Sequence, residues 1–259
     1  MQITLVQGIL LSLACVVIGV DYWLEAFFIF RPIIVATITG IILGDIKTGL
    51  IAGGLTELAF AGLTPAGGTQ PPNPVLAGVM TTVIAHTTGT EPTLAIGLAL
   101  PFSILMQYVI LFYYSSFSVF MSKADKYAEN ADVKSLGRLN MLTTGIVALS
   151  YGVIVFLSTY VAQDAMRSIV SAMPVFLTHG LEIAGGILPA VGFAMLLNVM
   201  LKARYIPFFI IGFLVATYIA IANLLPVAII GLALAMYDYY FVKSDDELSH
   251  AGGTQDEGI

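Results

Sequence analysis

Apolar runs as long as a membrane-crossing helix recur along this chain, and they constrain its fold more than any other feature. They cover residues 3–20, 27–44, 49–62, 75–89, 92–120, 141–162, 173–201 and 205–241. A helix needs roughly 20 apolar residues to cross the hydrocarbon of a bilayer. Strict alternation of polar and apolar residues, the mark of a transmembrane barrel, is missing. The fold class expected is therefore all-α, a polytopic integral membrane helical bundle. Composition agrees, because hydrophobic residues make up 58% of the 259 residues and charged residues only 10%, against about a quarter charged in a soluble domain. Mean hydropathy is +0.95. This balance excludes an ordinary soluble enzyme, a disordered tail and a nucleic-acid binder.

The runs 49–62 and 75–89 are too short to be ordinary spans, and the last run is long enough for two segments broken near Asn223–Pro226. Short hydrophobic segments interrupted by Gly or Pro point to re-entrant or broken helices, and to a transporter's binding site. The first run lacks a basic flank and a small-residue cleavage site, so it reads as a retained span. One polar insert, residues 122–138, carries Lys123, Lys126, Lys134 and Arg138. Excess Lys and Arg in a short loop marks the cytoplasmic side. The organisation expected is a membrane domain over 1–241 with a cytoplasmic loop at 122–139, then a polar acidic tail at 242–259. Gly53-Gly54 and Gly185-Gly186 open comparable stretches in the two halves. Such pairs arise from an internal repeat or simply from close helix packing.

The segment 53–74, GGLTELAFAGLTPAGGTQPPNP, carries the chemistry. Glu57 lies in an apolar run, and an acid at the centre of a membrane helix costs about 2.5–3.5 kcal/mol on insertion scales, so it faces a cavity or a partner. Pro65, Pro71, Pro72 and Pro74 forbid a continuous helix after it. Non-helical backbone at membrane depth is tolerated only where protein or a wet cavity satisfies it. Thr69, Gln70 and Asn73 project there with Glu57, and amides and a carboxylate suit the paired hydroxyls of a sugar. No Lys or Arg lies within the segment, which favours a neutral polyol over an anion. The competing reading is an ordinary extramembrane loop, with Glu57 paired inside the bundle.

His86 follows the loop and either lines the same cavity or is a satisfied bundle histidine. Arg31 is expected to pair with Glu25, Asp21 or Asp45. His179 and Glu182, three apart, lack a third ligand, so no metal site is expected. The aromatic groups at 108–114 and 237–241 suit the membrane interface. The single cysteine, Cys15, excludes an internal disulfide framework. No Walker loop, metal cluster or hydrolytic triad is present, so no cofactor is expected and any chemical driving force must come from another polypeptide.

Taken together, Leu5-Val6-Gln7-Gly8, Arg31-Pro32, Leu43-Gly44-Asp45, Gly53-Gly54-Leu55-Thr56-Glu57-Leu58, Gln70-Pro71-Pro72-Asn73, Ala184 to Phe193 (AGGILPAVGF) and Tyr205-Ile206-Pro207 resemble the membrane IIC component of the mannose-class (mannose/fructose/sorbose) sugar phosphotransferase system. Asp21-Tyr22-Trp23-Leu24-Glu25 and the GGTQPPNP run are most similar to its N-acetylgalactosamine branch. The resemblance implies a multi-pass subunit of the bacterial cytoplasmic (inner) membrane, with inverted-repeat character and re-entrant hairpins. It implies pairing with a IID membrane subunit in a trimer of such pairs. It also implies sugar phosphorylation by a soluble IIB protein that is itself phosphorylated by IIA. By that similarity Glu57, Gln70 and Asn73 fall on the sugar-site motif, and Pro71 and Pro72 shape the loop. The alternative function is an ion-coupled secondary sugar transporter acting without phosphotransfer partners.

Overall fold

The computed structural model describes residues 2–63, 70–218 and 225–251. Among the described residues there are helices and no strands. They are α1 (Leu5–Leu24), α2 (Pro32–Leu43), α3 (Ile46–Phe60), α4 (Pro74–Thr88), α5 (Pro92–Glu129) and α6 (Val133–Phe156). A π-helical turn (Leu157–Val161) then leads to α7 (Gln163–Ser171), α8 (Val175–Met200), a short 3-10 turn (Ala203–Tyr205), α9 (Ile206–Tyr218) and α10 (Leu225–Ala251). The chain forms two compact units, residues 1–198 and 199–259.

Local sequence explains where the helices begin. Thr4 and Gln7 form a capping box at the start of α1, which satisfies two otherwise orphaned N–H groups. Proline occupies the first turn of α2, α4 and α5, where its missing N–H is harmless and its fixed φ suits a helix. α1, α5, α6 with its π-helical turn, and α8 are long and apolar enough to cross a membrane. By contrast α2, α3 and α4 have 12, 15 and 15 residues. At 1.5 Å per residue they reach about 18–22 Å, short of the roughly 30 Å of hydrocarbon.

In the first unit α1 runs antiparallel to α6. Gly8 lies against Tyr160 and Gly19 against Tyr151, where a Cβ would overlap the Tyr160 Cβ and the Tyr151 ring respectively. That close approach places the fully buried Tyr151 directly behind the end of α1. α4 is buried at nearly every position, and it is enclosed by α2, α3 and α5. A smaller apolar cluster joins Ala59 and Phe60 at the end of α3 to Ala77 of α4 and Leu188 of α8. There Gly192 of α8 meets the carbonyls of Leu58 and Ala59.

The polar insert is not an irregular loop. α5 runs 38 residues to Glu129, about 57 Å, so it leaves the hydrocarbon and continues as a polar helix. A tight turn through Ala131, with φ 52°, returns the chain into α6. Asp132 caps α6 by accepting from Ser135 N at 3.1 Å. The Ser135 hydroxyl and N–H hold the Asp132 carboxyl below the usual carboxylate range.

In the second unit α9 ends at Tyr218 and α10 begins at Leu225, in keeping with the expected two segments; Asn223 itself lies outside the described residues. α10 continues as helix to Ala251, beyond the expected start of the polar tail.

Candidate functional site

The depth of the proline-broken segment is set by what holds it. Asn73 N–H donates to the Ser103 carbonyl at 3.1 Å, and the Ser103 hydroxyl donates to the Asn73 carbonyl at 2.7 Å. Gln107 donates its amide to the Gln70 carbonyl. Ser103 and Gln107 lie about 17 and 23 Å along α5 from Pro92, well inside the apolar part of that helix. Residues 70–73 therefore sit at mid-membrane depth, and α5 supplies the partners that irregular backbone requires there. Pro101, just before Ser103, interrupts the hydrogen-bond ladder of α5 at the same level.

Glu57 projects from the last turn of α3. Arg31 donates to Glu57 Oε1 through Nε at 2.7 Å and also through Nη2. The other carboxylate oxygen accepts from Ile33 N at 3.2 Å. Arg31 gives α2 no side-chain cap, so Glu57 supplies the missing cap from the neighbouring helix. A carboxylate at a helix N-terminus is also favoured by the helix dipole. The Arg31 and Glu57 side chains are 43% and 19% exposed, so both still present polar atoms to solvent or ligand. The three expected partners of Arg31 are corrected by this geometry. Asp21 is buried and accepts from Phe27 N at 2.6 Å and Ile29 N at 2.7 Å. Asp45 faces His86, and Glu57 takes the place expected of Glu25.

The turn that Asp21 organises bears left-handed φ at two non-glycine residues, Glu25 (49°) and Phe28 (58°), a conformation uncommon for bulky side chains. It brings Phe30 edge-on to Tyr22, with ring centroids 5.4 Å apart. Tyr22 in turn accepts a 2.7 Å hydrogen bond from the Gln70 amide. Gln70 and Glu57 are thus connected through Tyr22, Phe30 and Arg31. Gln70, Pro71 and Pro72 are half-buried, and Thr69 lies outside the described residues.

Two sequence expectations change. Asn73 is completely buried. It accepts from Leu76 N at 3.1 Å as the cap of α4 and donates to the Tyr151 hydroxyl at 2.5 Å. Its amide is used inside the protein, so Asn73 is a positioning residue and not a ligand contact in this conformation. His86 lies 13 residues further along α4, about 20 Å away, and its Nδ1 is 3.1 Å from Asp45 Oδ2. It does not line the same site as the loop. Tyr22 entered the sequence analysis only within the Asp21–Glu25 motif, whereas Ser103, Gln107 and Tyr151 were not named. Of these only Gln107 left a signal, as an amide within a long apolar run. His179 and Glu182 face each other at 3.8 Å on an exposed surface, and no group able to hold a metal ion occurs among the described residues.

Full-length spans, half-length helices and a polar, proline-broken segment at mid-depth define a polytopic membrane protein of the re-entrant kind that carries polar solutes. The family pattern for the "PTS system sorbose-specific iic component" matches residues 5–237, and the chain belongs to that family. It is 64% identical over 243 residues to the N-acetylgalactosamine permease IIC component 1 of Escherichia coli K12, covering 94% of this chain and 91% of that one. It is 33% identical to the sorbose-specific EIIC component of Klebsiella pneumoniae, covering 91% and 89%. Its fold matches a solved structure described as a membrane protein, with TM-score 0.81, 29% identity and coverage of 92% and 97%. The mannose transporter ManYZ in complex with microcin E492 matches with TM-score 0.59, 29% identity and coverage of 93% and 97%.

Proposed function

We propose that the cluster of Glu57, Arg31, Gln70 and Tyr22 binds N-acetylgalactosamine for inward transport, the chain being the sugar-translocating subunit of its phosphotransferase system. The observation that carries this reading is the charge-neutral Arg31–Glu57 pair linked through Phe30 to the Gln70–Tyr22 pair. A guanidinium alone would favour an anion. Neutralised by Glu57, it leaves donors and acceptors without net charge, which suits sugar hydroxyls and an acetamido group. The rings of Tyr22 and Phe30 add an apolar surface for a sugar face. The N-acetylgalactosamine named for the 64% identical relative supports the choice of sugar.

The chain works with a IID membrane subunit, in a trimer of such pairs. A soluble IIB protein, charged by IIA, phosphorylates the sugar on the side of the membrane where the lysine-bearing turn between α5 and α6 lies. The test is the chemical state of the product. Cells expressing this chain with its IID, IIB and IIA partners and supplied with labelled N-acetylgalactosamine should accumulate it as the phosphate ester. Removing IIB should abolish accumulation. Accumulation of unmodified sugar without IIB, dependent on a proton gradient, would instead establish an ion-coupled carrier.

A further inference from the structure

Phe30 and Arg31 leave from the end of the turn that joins α1 to α2, and one side chain gives that turn its shape. Asp21 lies in the last turn of α1 and is 4% exposed. Its Oδ1 accepts from Phe27 N at 2.6 Å and its Oδ2 from Ile29 N at 2.7 Å, so the two carboxylate oxygens straddle Phe28. The Asp21 carbonyl accepts from Glu25 N at 2.7 Å. Asp21 thus holds three N–H groups of the turn, on both sides of each left-handed residue. The Phe28 carbonyl next accepts from Arg31 N at 3.2 Å, and the Arg31 carbonyl accepts from Ile34 N and Val35 N to begin α2.

This is an expensive way to end a helix. The helix dipole disfavours an acid in the last turn, and a buried carboxylate is costly unless it is hydrogen-bonded or paired. Among the described residues Asp21 has no ion-pair partner. α2 and α4 reach the left-handed conformation with glycine, at Gly44 and Gly89, whereas α1 places Glu25 there and Phe28 follows with φ 58°. Such strain persists only where the surroundings over-determine it, and here Asp21 supplies the restraint. What the restrained turn delivers is the Phe30 ring against Tyr22 and the Arg31 guanidinium against Glu57.

We propose that Asp21 is a positioning residue for sugar binding, acting through the turn to set where Arg31 and Phe30 meet the sugar without touching the sugar itself. This rests on the reading of Glu57, Arg31, Gln70 and Tyr22 as the sugar site. The concentration dependence of N-acetylgalactosamine uptake is measured in cells expressing the full chain with its IID, IIB and IIA partners, each variant's abundance in the membrane being determined. In Asp21→Asn one N–H keeps its acceptor and the other meets an NH2. KM should rise about fivefold or more, with Vmax per transporter changed less than about twofold, because misplaced contact groups weaken binding. A purely structural role would lower abundance and Vmax and leave KM as it was. Combined with Arg31→Gln, the rise should be smaller than the product of the two single effects, since Asp21 works through Arg31. Phe28→Val strains the same turn without touching Asp21, because a β-branched residue is an outlier at that φ. The Phe28 side chain is 53% exposed, so this variant serves if Asp21→Asn fails to fold. It should raise KM more than Phe28→Leu, which loses the ring contact with Phe30 equally. Where Gln70→Ala raises KM as the sugar site requires, an unchanged KM in Asp21→Asn or Phe28→Val would overturn the positioning role and leave the sugar site standing. Effects of Asp21→Asn and Arg31→Gln that multiply in full would also overturn it. An unchanged KM in Gln70→Ala would remove the sugar-site reading, and the positioning role with it.

Discussion

Replacing Asn73 with alanine is expected to destabilise the first unit by about 1.5–5 kcal/mol and to abolish sugar uptake. The side chain is fully buried and serves two elements at once. Loss of the α4 cap to Leu76 N accounts for about 1 kcal/mol, within a range of 0.5–2. Loss of the donor to the Tyr151 hydroxyl strands a phenol behind α1, at about 1–3 kcal/mol. The backbone bonds from residues 70–73 to Ser103 and Gln107 survive the truncation, but the end of the segment that joins α4 loses its side-chain anchor, which weakens the support of the Gln70–Tyr22 contact. Asn73→Asp should lie between wild type and alanine, because it keeps the cap and can accept from Tyr151 at the expense of a buried charge. Thermal unfolding of the purified chain and uptake in cells measure the two effects. An alanine variant as stable as wild type would show that the loop is anchored elsewhere.

Glu57→Gln is expected to lower N-acetylgalactosamine uptake at least tenfold while the protein still reaches the membrane. The amide keeps one oxygen, so it can satisfy either Arg31 or Ile33 N–H, but its NH2 then faces another donor. Hydrogen bonds to charged groups are worth about 1.5–3 kcal/mol. The partial exposure of Arg31 lets water replace part of that, so folding suffers less than transport. Arg31→Gln should give a similar loss, and the double substitution should lose little more than either alone, because the pair acts as one unit. Additive losses would mean that the two residues contribute separately.

Much of this arrangement is legible in the sequence. Arg31-Pro32, Asn73-Pro74 and Glu91-Pro92 announce the starts of α2, α4 and α5, because proline is favoured in the first turn of a helix. The brevity of the runs 49–62 and 75–89 announces helices that stop partway across the bilayer. What sequence does not convey is pairing between elements. Glu57 meets Arg31 from 26 residues away, a contact that depends on the α2–α3 hairpin folding back on itself. His86 follows the loop in sequence, yet the intervening helix carries it to the other end of α4 and to Asp45. Amide chemistry made Asn73 look like a ligand contact, although an asparagine before proline is also a helix cap. The polarity of residues 122–138 reports exposure to water and not the absence of helix.

The central claim is that the polar cluster at mid-depth contacts the sugar, and Gln70 tests it most directly. Its side chain is half-buried, and the side chain's one hydrogen bond among the described residues, from the amide nitrogen to Tyr22, leaves the amide oxygen available. Unlike Asn73 it caps no helix, and unlike Glu57 it holds no charge. The measurement is the concentration dependence of N-acetylgalactosamine uptake in cells expressing Gln70→Ala at wild-type abundance. A KM raised about tenfold or more, the loss of roughly 1.4 kcal/mol of sugar binding, is the predicted result. An unchanged KM would place the sugar elsewhere in the transporter and contradict the account.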